Sequence, residues 1–220
     1  MNLAKRMERL GTETAFEVLA KARKLEQEGK HIVHLEIGEP DFETADHIKN
    51  AAIEALNGGF THYVPSAGIL EVRESISKNI DNTRQVNYNP DQIIITPGAK
   101  PIMFFTILAL AEPDFEVVFP DPGFPIYESM INFCGGKAVP MPLRGNLNYH
   151  PDIEELETLI NDRTRLLILN SPNNPCGSVL NKEETVAIVA LVEKFPNLYV
   201  LSDEVYKDII YTGQHLSVSQ

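Results

Sequence analysis

The chain has 220 residues, 31 acidic and 19 basic side chains, a formal net charge of −12, and 43% hydrophobic and 23% charged residues. That is a globular composition, neither disordered nor fibrous, and the length suits one α/β domain or a little more. Charges of both signs are interleaved and no basic stripe occurs, which argues against a nucleic-acid partner. A small anionic ligand remains compatible, because local amides and a few cations outweigh distant surface charge.

Residues 102–111 form the longest apolar stretch, but Thr106 interrupts it and it is too short to cross a bilayer. The first ten residues lack the apolar core of a secretion signal. No membrane partner is therefore expected. Cys134 and Cys176 are far apart in sequence, which suggests neither a disulfide framework nor a zinc site and fits a reducing cytoplasm. The six histidines do not cluster, and no metal is expected; His31 and His34 fall on opposite faces of a predicted strand.

In chain order, periodicity predicts an amphipathic helix over 15–27, stopped at Gly29, and a short strand over 32–37. Gly38-Glu39-Pro40-Asp41-Phe42 reads as a loop. Helices follow over 45–56, ended by Gly58-Gly59, and over 70–80. From there strands and helices alternate: strand 92–96, helix 101–111, strand 116–119, helix 126–133, strand 137–141, helix 153–160, strand 165–169. Asn181 and Glu184 form a capping box for a helix over 182–195. A strand over 198–201 and a short helix over 204–210 complete the pattern. Alternation with apolar strands implies an α/β fold, a mostly parallel sheet flanked by helices, preceded by an N-terminal helical arm.

Ligands of open α/β sheets bind at the carboxyl ends of the strands. Four polar loops lie at such ends: Thr96 to Lys100, Pro120 to Phe124, Asn170 to Gly177, and Ser202-Asp203-Glu204. Gly98-Ala99-Lys100 lets amides at a helix start approach an anion, or is an ordinary tight turn. Two prolines and a glycine stiffen Asn170 to Gly177, which suits an asparagine held in one orientation, or is a turn-rich connection. Asp203 is a ligand-facing acid or simply a helix cap.

Taken in order, Gly38-Glu39-Pro40-Asp41-Phe42, Tyr63 with Pro65-Ser66-Ala67-Gly68, Gly98-Ala99-Lys100, Ser171 to Gly177, and Ser202-Asp203-Glu204-Val205-Tyr206 resemble the class I/II, fold-type-I, aspartate-aminotransferase-like family, in its N-terminal portion. The resemblance implies pyridoxal 5'-phosphate as cofactor and an amino acid and a 2-oxo acid as substrates. It implies that Asp203 pairs with the pyridine nitrogen, that Asn174 and Tyr206 reach the ring's 3-oxygen, and that Phe124 stacks on the ring. Gly98, Ala99 and Lys100 hold the phosphate, and Gly38 lies near the substrate carboxylate. Tyr63 matches a tyrosine that reaches the neighbouring subunit's phosphate, which implies a homodimer. Cys176 departs from the family's usual threonine, and Lys100 stands where some relatives carry a small hydroxyl residue.

The same resemblance divides the chain into residues 1–45, an N-terminal arm and part of a small domain, and 46–220, an incomplete cofactor-binding large domain whose sheet begins near Gln92. The Schiff-base lysine is expected beyond Gln220, so no catalytic residue is assigned within the chain. Strands beyond it are expected to separate residues 92–96 from the later strands, whose edges would be left open. On this view the 220 residues alone do not transaminate. Two alternatives remain: a non-catalytic or split-partner cofactor-binding chain, and a C–S or C–C lyase on the same scaffold.

Overall fold

The computed structural model describes residues 3–11 and 14–220; the first two residues of the N-terminal arm, and residues 12 and 13, lie outside them. Seven α-helices and four strands are found among the described residues: α1 Thr14–Gln27, α2 Asp46–Asn57, α3 Leu70–Arg84, α4 Lys100–Leu110, β1 Glu116–Asp121, α5 Ile126–Cys134, β2 Lys137–Pro142, α6 Ile153–Leu159, β3 Thr164–Asn170, α7 Lys182–Val192 and β4 Tyr199–Asp203. The chain divides into two compact units, Met1–Thr12 with Leu70–Gln220, and Glu13–Ile69. A boundary anticipated at 45/46 falls inside the second of these.

All four strands of the larger unit run parallel, in the order β2-β1-β3-β4. Parallel strands covered on both faces carry unbroken apolar runs rather than alternating ones. β3 (Thr-Arg-Leu-Leu-Ile-Leu-Asn) is such a run, buried at every position but Arg165. Its side chains divide by the pleat. Leu166 and Ile168 join Val117 and Phe119 of β1 in one core, with Met103 and Ile107 of α4 and Tyr127 and Ile131 of α5. Leu167 and Leu169 face the other way with Val118, against Leu156 of α6 and Ile188 and Leu191 of α7. Prolines are confined to sheet edges or to strand ends, where a missing N–H costs no ladder bond. Accordingly Pro140 and Pro142 sit on the edge strand β2. Pro120 follows the last β1–β3 pair, Val118 with Leu167, so the top of β1 is tied to β2 alone.

The capping box at α7 forms as anticipated. The Asn181 side chain accepts from the Glu184 N–H and the Glu184 side chain accepts from the Asn181 N–H, both at 2.9 Å. At the opposite end of the sheet Glu116, 4% exposed, gathers Lys137, Arg163 and Asn161 and so pins the starts of β1, β2 and β3.

Three expected elements do not form. Residues 32–37 belong to no ladder, residues 36 and 37 bend, and Val33 and Leu35 are exposed. A strand needs a partner backbone, and this segment meets none among the described residues of its unit. His34 is instead held at the side chain between Glu26 and Glu36 (2.9 and 2.6 Å). Residues 93–96 likewise join no ladder, after a 3-10 turn at Pro90–Gln92. Residues 204–210 are a turn, not a helix: the Lys207 N–H bonds to Glu204 O and the Ile209 N–H to Tyr206 O, both three residues back. Seven residues are too few to make a helix persist without packing support.

In the smaller unit α1 and α2 are amphipathic, but Ala22 is the one buried residue among those described. No helix among the described residues is long and apolar enough to cross a membrane.

Because β3 is buried on both faces, truncating it should be costly. Leu167→Ala is expected to lower unfolding free energy by about 2–5 kcal/mol. Val186→Ala on the solvent side of α7, 57% exposed, should change it by less than about 0.5 kcal/mol. Urea denaturation of the two variants checks the contrast.

Candidate functional site

The order β2-β1-β3-β4 places the first strand inside the sheet, so the chain leaves β1 to one side and returns to the other. A crevice at the carboxyl ends of the strands on either side of such a reversal is where open parallel sheets bind ligands. Here those ends are Asp121 of β1 and Asn170 of β3, with Asp203 of β4 paired in register to Asn170.

Asp203 is 9% exposed. Its Oδ2 accepts a 2.5 Å hydrogen bond from the hydroxyl of Tyr127, which is fully buried on the first turn of α5. Among the described residues its Oδ1 receives a long contact, 3.4 Å, from the Val205 N–H. Burial, and next the charge of Asp203, push the Tyr127 phenol far above its ordinary value, with Tyr206 adding to the effect. Tyr127 therefore remains a proton donor to the carboxylate.

Asn170 links the two strand ends to the following loop. Its Nδ2 donates to Asp203 O (3.2 Å) and its Oδ1 accepts from the Asn174 N–H (2.8 Å). The loop is then closed on itself: Ser171 Oγ accepts from the Leu180 N–H, and Asn173 Oδ1 from the Cys176 N–H. Held this way, the Asn174 side chain donates to the Tyr206 hydroxyl at 3.2 Å. These two side chains, 32 residues apart in sequence, thus converge beside Asp203. Burial, followed by the charge of Asp121, raises the Cys176 thiol pKa, and burial raises that of Cys134, so neither sulfur is poised as a nucleophile.

Above β1, Gly123 is required by contact. A Cβ there would collide with the carbonyl oxygen of Pro120, so the turn that delivers Phe124 accepts no larger residue. The Phe124 ring packs edge-on to Tyr127, with centroids 6.0 Å apart, and the Lys100 ammonium stands 5.7 Å from its centre. That contact brings the start of α4 to the same rim. Gly98 holds φ +86°, and the Thr96 hydroxyl donates to its carbonyl.

Gly98, Ala99, Lys100, Phe124, Asn174, Asp203 and Tyr206 therefore all belong to the larger unit. Gly38 and Tyr63 belong to the smaller one, where Tyr63 is fully exposed and Gly38 has open space around its α-carbon. Sequence reasoning missed Tyr127, and it placed Asn170 in a rim loop without giving it a role. Tyr127 reads as one more apolar position on an amphipathic helix. Only its hydroxyl, three residues past Phe124, hints at a polar duty.

A parallel sheet covered on both faces, with an acid, an amide–phenol pair and an aromatic ring gathered at its strand ends, defines the chain as an α/β protein. The aminotransferase class I and II family model matches residues 30–219, and the chain belongs to that family. It is 36% identical to an aspartate/prephenate aminotransferase of Thermus thermophilus, over 98% of this chain and 56% of that protein. It is 38% identical to a (5-formylfuran-3-yl)methyl phosphate transaminase of Methanocaldococcus jannaschii, over 96% and 54% respectively. The structure of the Thermus thermophilus aspartate aminotransferase with maleate matches at a TM-score of 0.94 and 35% identity, covering 100% of this chain and 58% of that one. The chain spans about half the length of the curated relatives it matches.

Removing the Tyr127 hydroxyl tests the support of Asp203. Tyr127→Phe keeps the packing but strands the carboxylate, and should destabilise the protein by about 1–3 kcal/mol. The pH dependence follows from the raised phenol. Below the ordinary phenol value of about 10 the stabilisation is fully present. Above it the unfolded chain loses a proton that the native state keeps, and stability falls. Urea midpoints measured across that range should decline less steeply for Tyr127→Phe than for the native protein.

Proposed function

We propose that this chain supplies the cofactor-binding half-site of a pyridoxal 5'-phosphate-dependent aminotransferase, which moves an amino group between an amino acid and a 2-oxo acid. The observation that carries the reading is the meeting of Asp203, Asn174 and Tyr206 at the ends of β3 and β4, in a chain of the aminotransferase class I and II family.

The donor set fits the cofactor. Asp203 has one oxygen engaged by Tyr127 and the other bonded only weakly, which suits a second, charged N–H donor such as a protonated pyridine. The Asn174 amide and Tyr206 hydroxyl form a pair that can both donate to a single phenolic oxygen. Phe124 offers an aromatic surface, and Lys100 with the start of α4 offers positive potential for a phosphate. When bound, the cofactor supplies an electron-withdrawing ring that accepts the electron pair of the substrate's Cα–H bond.

The residues of this chain bind and tune. Asp203, itself 9% exposed, would favour a proton on the ring nitrogen by Coulomb attraction. Tyr127 fixes which carboxylate oxygen faces the ring. Asn174 and Tyr206 would donate to the phenolic oxygen and so stabilise negative charge there. Gly38 is assigned to the approach of the substrate carboxylate. Tyr63 is assigned to a neighbouring subunit's phosphate in a homodimer. No lysine of this chain is assigned the Schiff-base role. Residues 1–45 belong on this reading to an arm and small domain, and the rest to the large domain. A cytoplasmic location accords with the two free cysteines, Cys134 and Cys176.

The test is made on protein isolated from its source cells with pyridoxal phosphate present. Borohydride reduction followed by peptide mass spectrometry should find a pyridoxyl group on a lysine. An amino acid should bleach the pyridoxal absorbance, and a 2-oxo acid should restore it. Release of ammonia with a 2-oxo acid would assign a lyase instead, and the absence of any adduct or cofactor uptake would refute the proposal. In the same protein Asp203→Asn should lower kcat on the order of 10²–10³-fold.

A further inference from the structure

Tyr206 sits in a turn, not in a helix, and so lacks the regular backbone bonds that would hold a helical side chain in place. Something else must keep its hydroxyl at Asn174. The residue after Asp203 provides it. Glu204 turns its carboxylate inward, with 9% of its side chain exposed, and forms a 2.6 Å ion pair through Oε2 with Arg84, the last residue of α3. Its Oε1 accepts from the hydroxyls of Ser202 and Ser217, each at 2.7 Å. Ser217 is 2% exposed and also accepts from Arg84 Nη1 at 3.1 Å. Four side chains from α3, β4, the turn and the last residues thus form one shielded polar cluster directly beneath the turn that carries Tyr206.

Such a cluster is an expensive way to hold a loop, because a buried ion pair recovers little net stability after desolvation. What it does provide is direction. The Glu204 carbonyl accepts from the Lys207 N–H (3.0 Å), and the Tyr206 carbonyl from the Ile209 N–H (2.8 Å). With the Glu204 side chain fixed from below, the start of that turn is fixed, and Asp203 and Tyr206 on either side are held at set angles.

We infer that Arg84 and Glu204 are a positioning pair: their ion pair sets the turn that presents Tyr206 to Asn174 and so shapes the ligand rim. Their side chains bond to each other and to Ser202 and Ser217. The effect on ligand binding rests on the cofactor reading above, whereas the effect on the turn does not.

The experiment separates the two. Amide hydrogen exchange is followed by NMR on the cofactor-free protein isolated as above, for the native chain, Glu204→Gln and Arg84→Lys. Glu204→Gln keeps size but removes the charge and turns one acceptor oxygen into a donor. It should speed exchange at the Lys207 and Ile209 amides by about tenfold while leaving the β3 amides unchanged, as local opening does. Arg84→Lys restores a cation without the two-pronged geometry, and should fall between the native chain and Glu204→Gln. A uniform rise in exchange across β3 and the turn, or no rise at the turn, would make the cluster merely structural and overturn the inference. If Glu204→Gln fails to fold, Arg84→Lys decides by the same two patterns. Equilibrium dialysis with pyridoxal phosphate then reads the rim: Glu204→Gln should weaken binding by about fivefold. A selective rise in turn exchange with unchanged affinity would refute the positioning role. A native protein that takes up no pyridoxal phosphate would refute the cofactor reading and leave the exchange result to judge the turn.

Discussion

The carboxyl group of Asp203 ends an apolar strand in a place that water scarcely reaches, and removing such a group from water is costly unless donors replace the lost hydration. Much of the larger unit's polar architecture answers that constraint. A fully buried phenol from α5 supplies one strong hydrogen bond to a carboxylate oxygen. The backbone carbonyl of the same residue is met by the Asn170 amide and the Ser171 N–H, both at 3.2 Å. The acid is therefore anchored by its main chain and aimed by its side chain, and its second oxygen faces a rim where further donors gather.

Why the rim lies there follows from the sheet. Parallel strands put all their carboxyl ends on one side, and covering both faces leaves the strand ends as the place where polar groups can emerge together. Pro120 removes a donor just past the last β1–β3 pair, so the two strands that flank the reversal are not tied together at their tops. Tight turns then deliver the side chains. Gly123 accepts a backbone approach that a methyl group would forbid, and the Asn170 to Gly177 loop folds on its own asparagines.

Support for the rim comes from both layers of helices and from outside the sheet. Tyr127 belongs to the core that packs under α4 and α5. The turn after β4 is braced by Arg84 at the end of α3, through Glu204. The Tyr127 hydroxyl and the Arg84–Glu204 pair thus meet, respectively, the Asp203 carboxylate and the turn that carries Tyr206. The chain belongs to the aminotransferase class I and II family and spans about half the length of the curated relatives it matches.

Local pattern alone determined a good deal. The apolar run of β3, the alternation of strands and helices from Glu116 onward, and the Asn181–Glu184 capping box depend on side chains near in sequence, and each formed within a few residues of its expected bounds. The rim loops were legible too, since glycine, proline and asparagine declare turns by their own dihedral preferences. What tertiary structure decided was everything that needed a distant partner. Residues 32–37 and 93–96 carry strand-like composition, but a strand exists only where another backbone bonds to it. Residues 204–210 have a helical pattern, yet the Glu204 side chain is held by Arg84, 120 positions earlier, and the backbone closes as a turn. Tyr127 looked like one more core residue, and only packing against β4 turned its hydroxyl into the donor that Asp203 needs. Periodicity reports which face of an element is apolar; which polar atom meets which is a property of the folded chain alone.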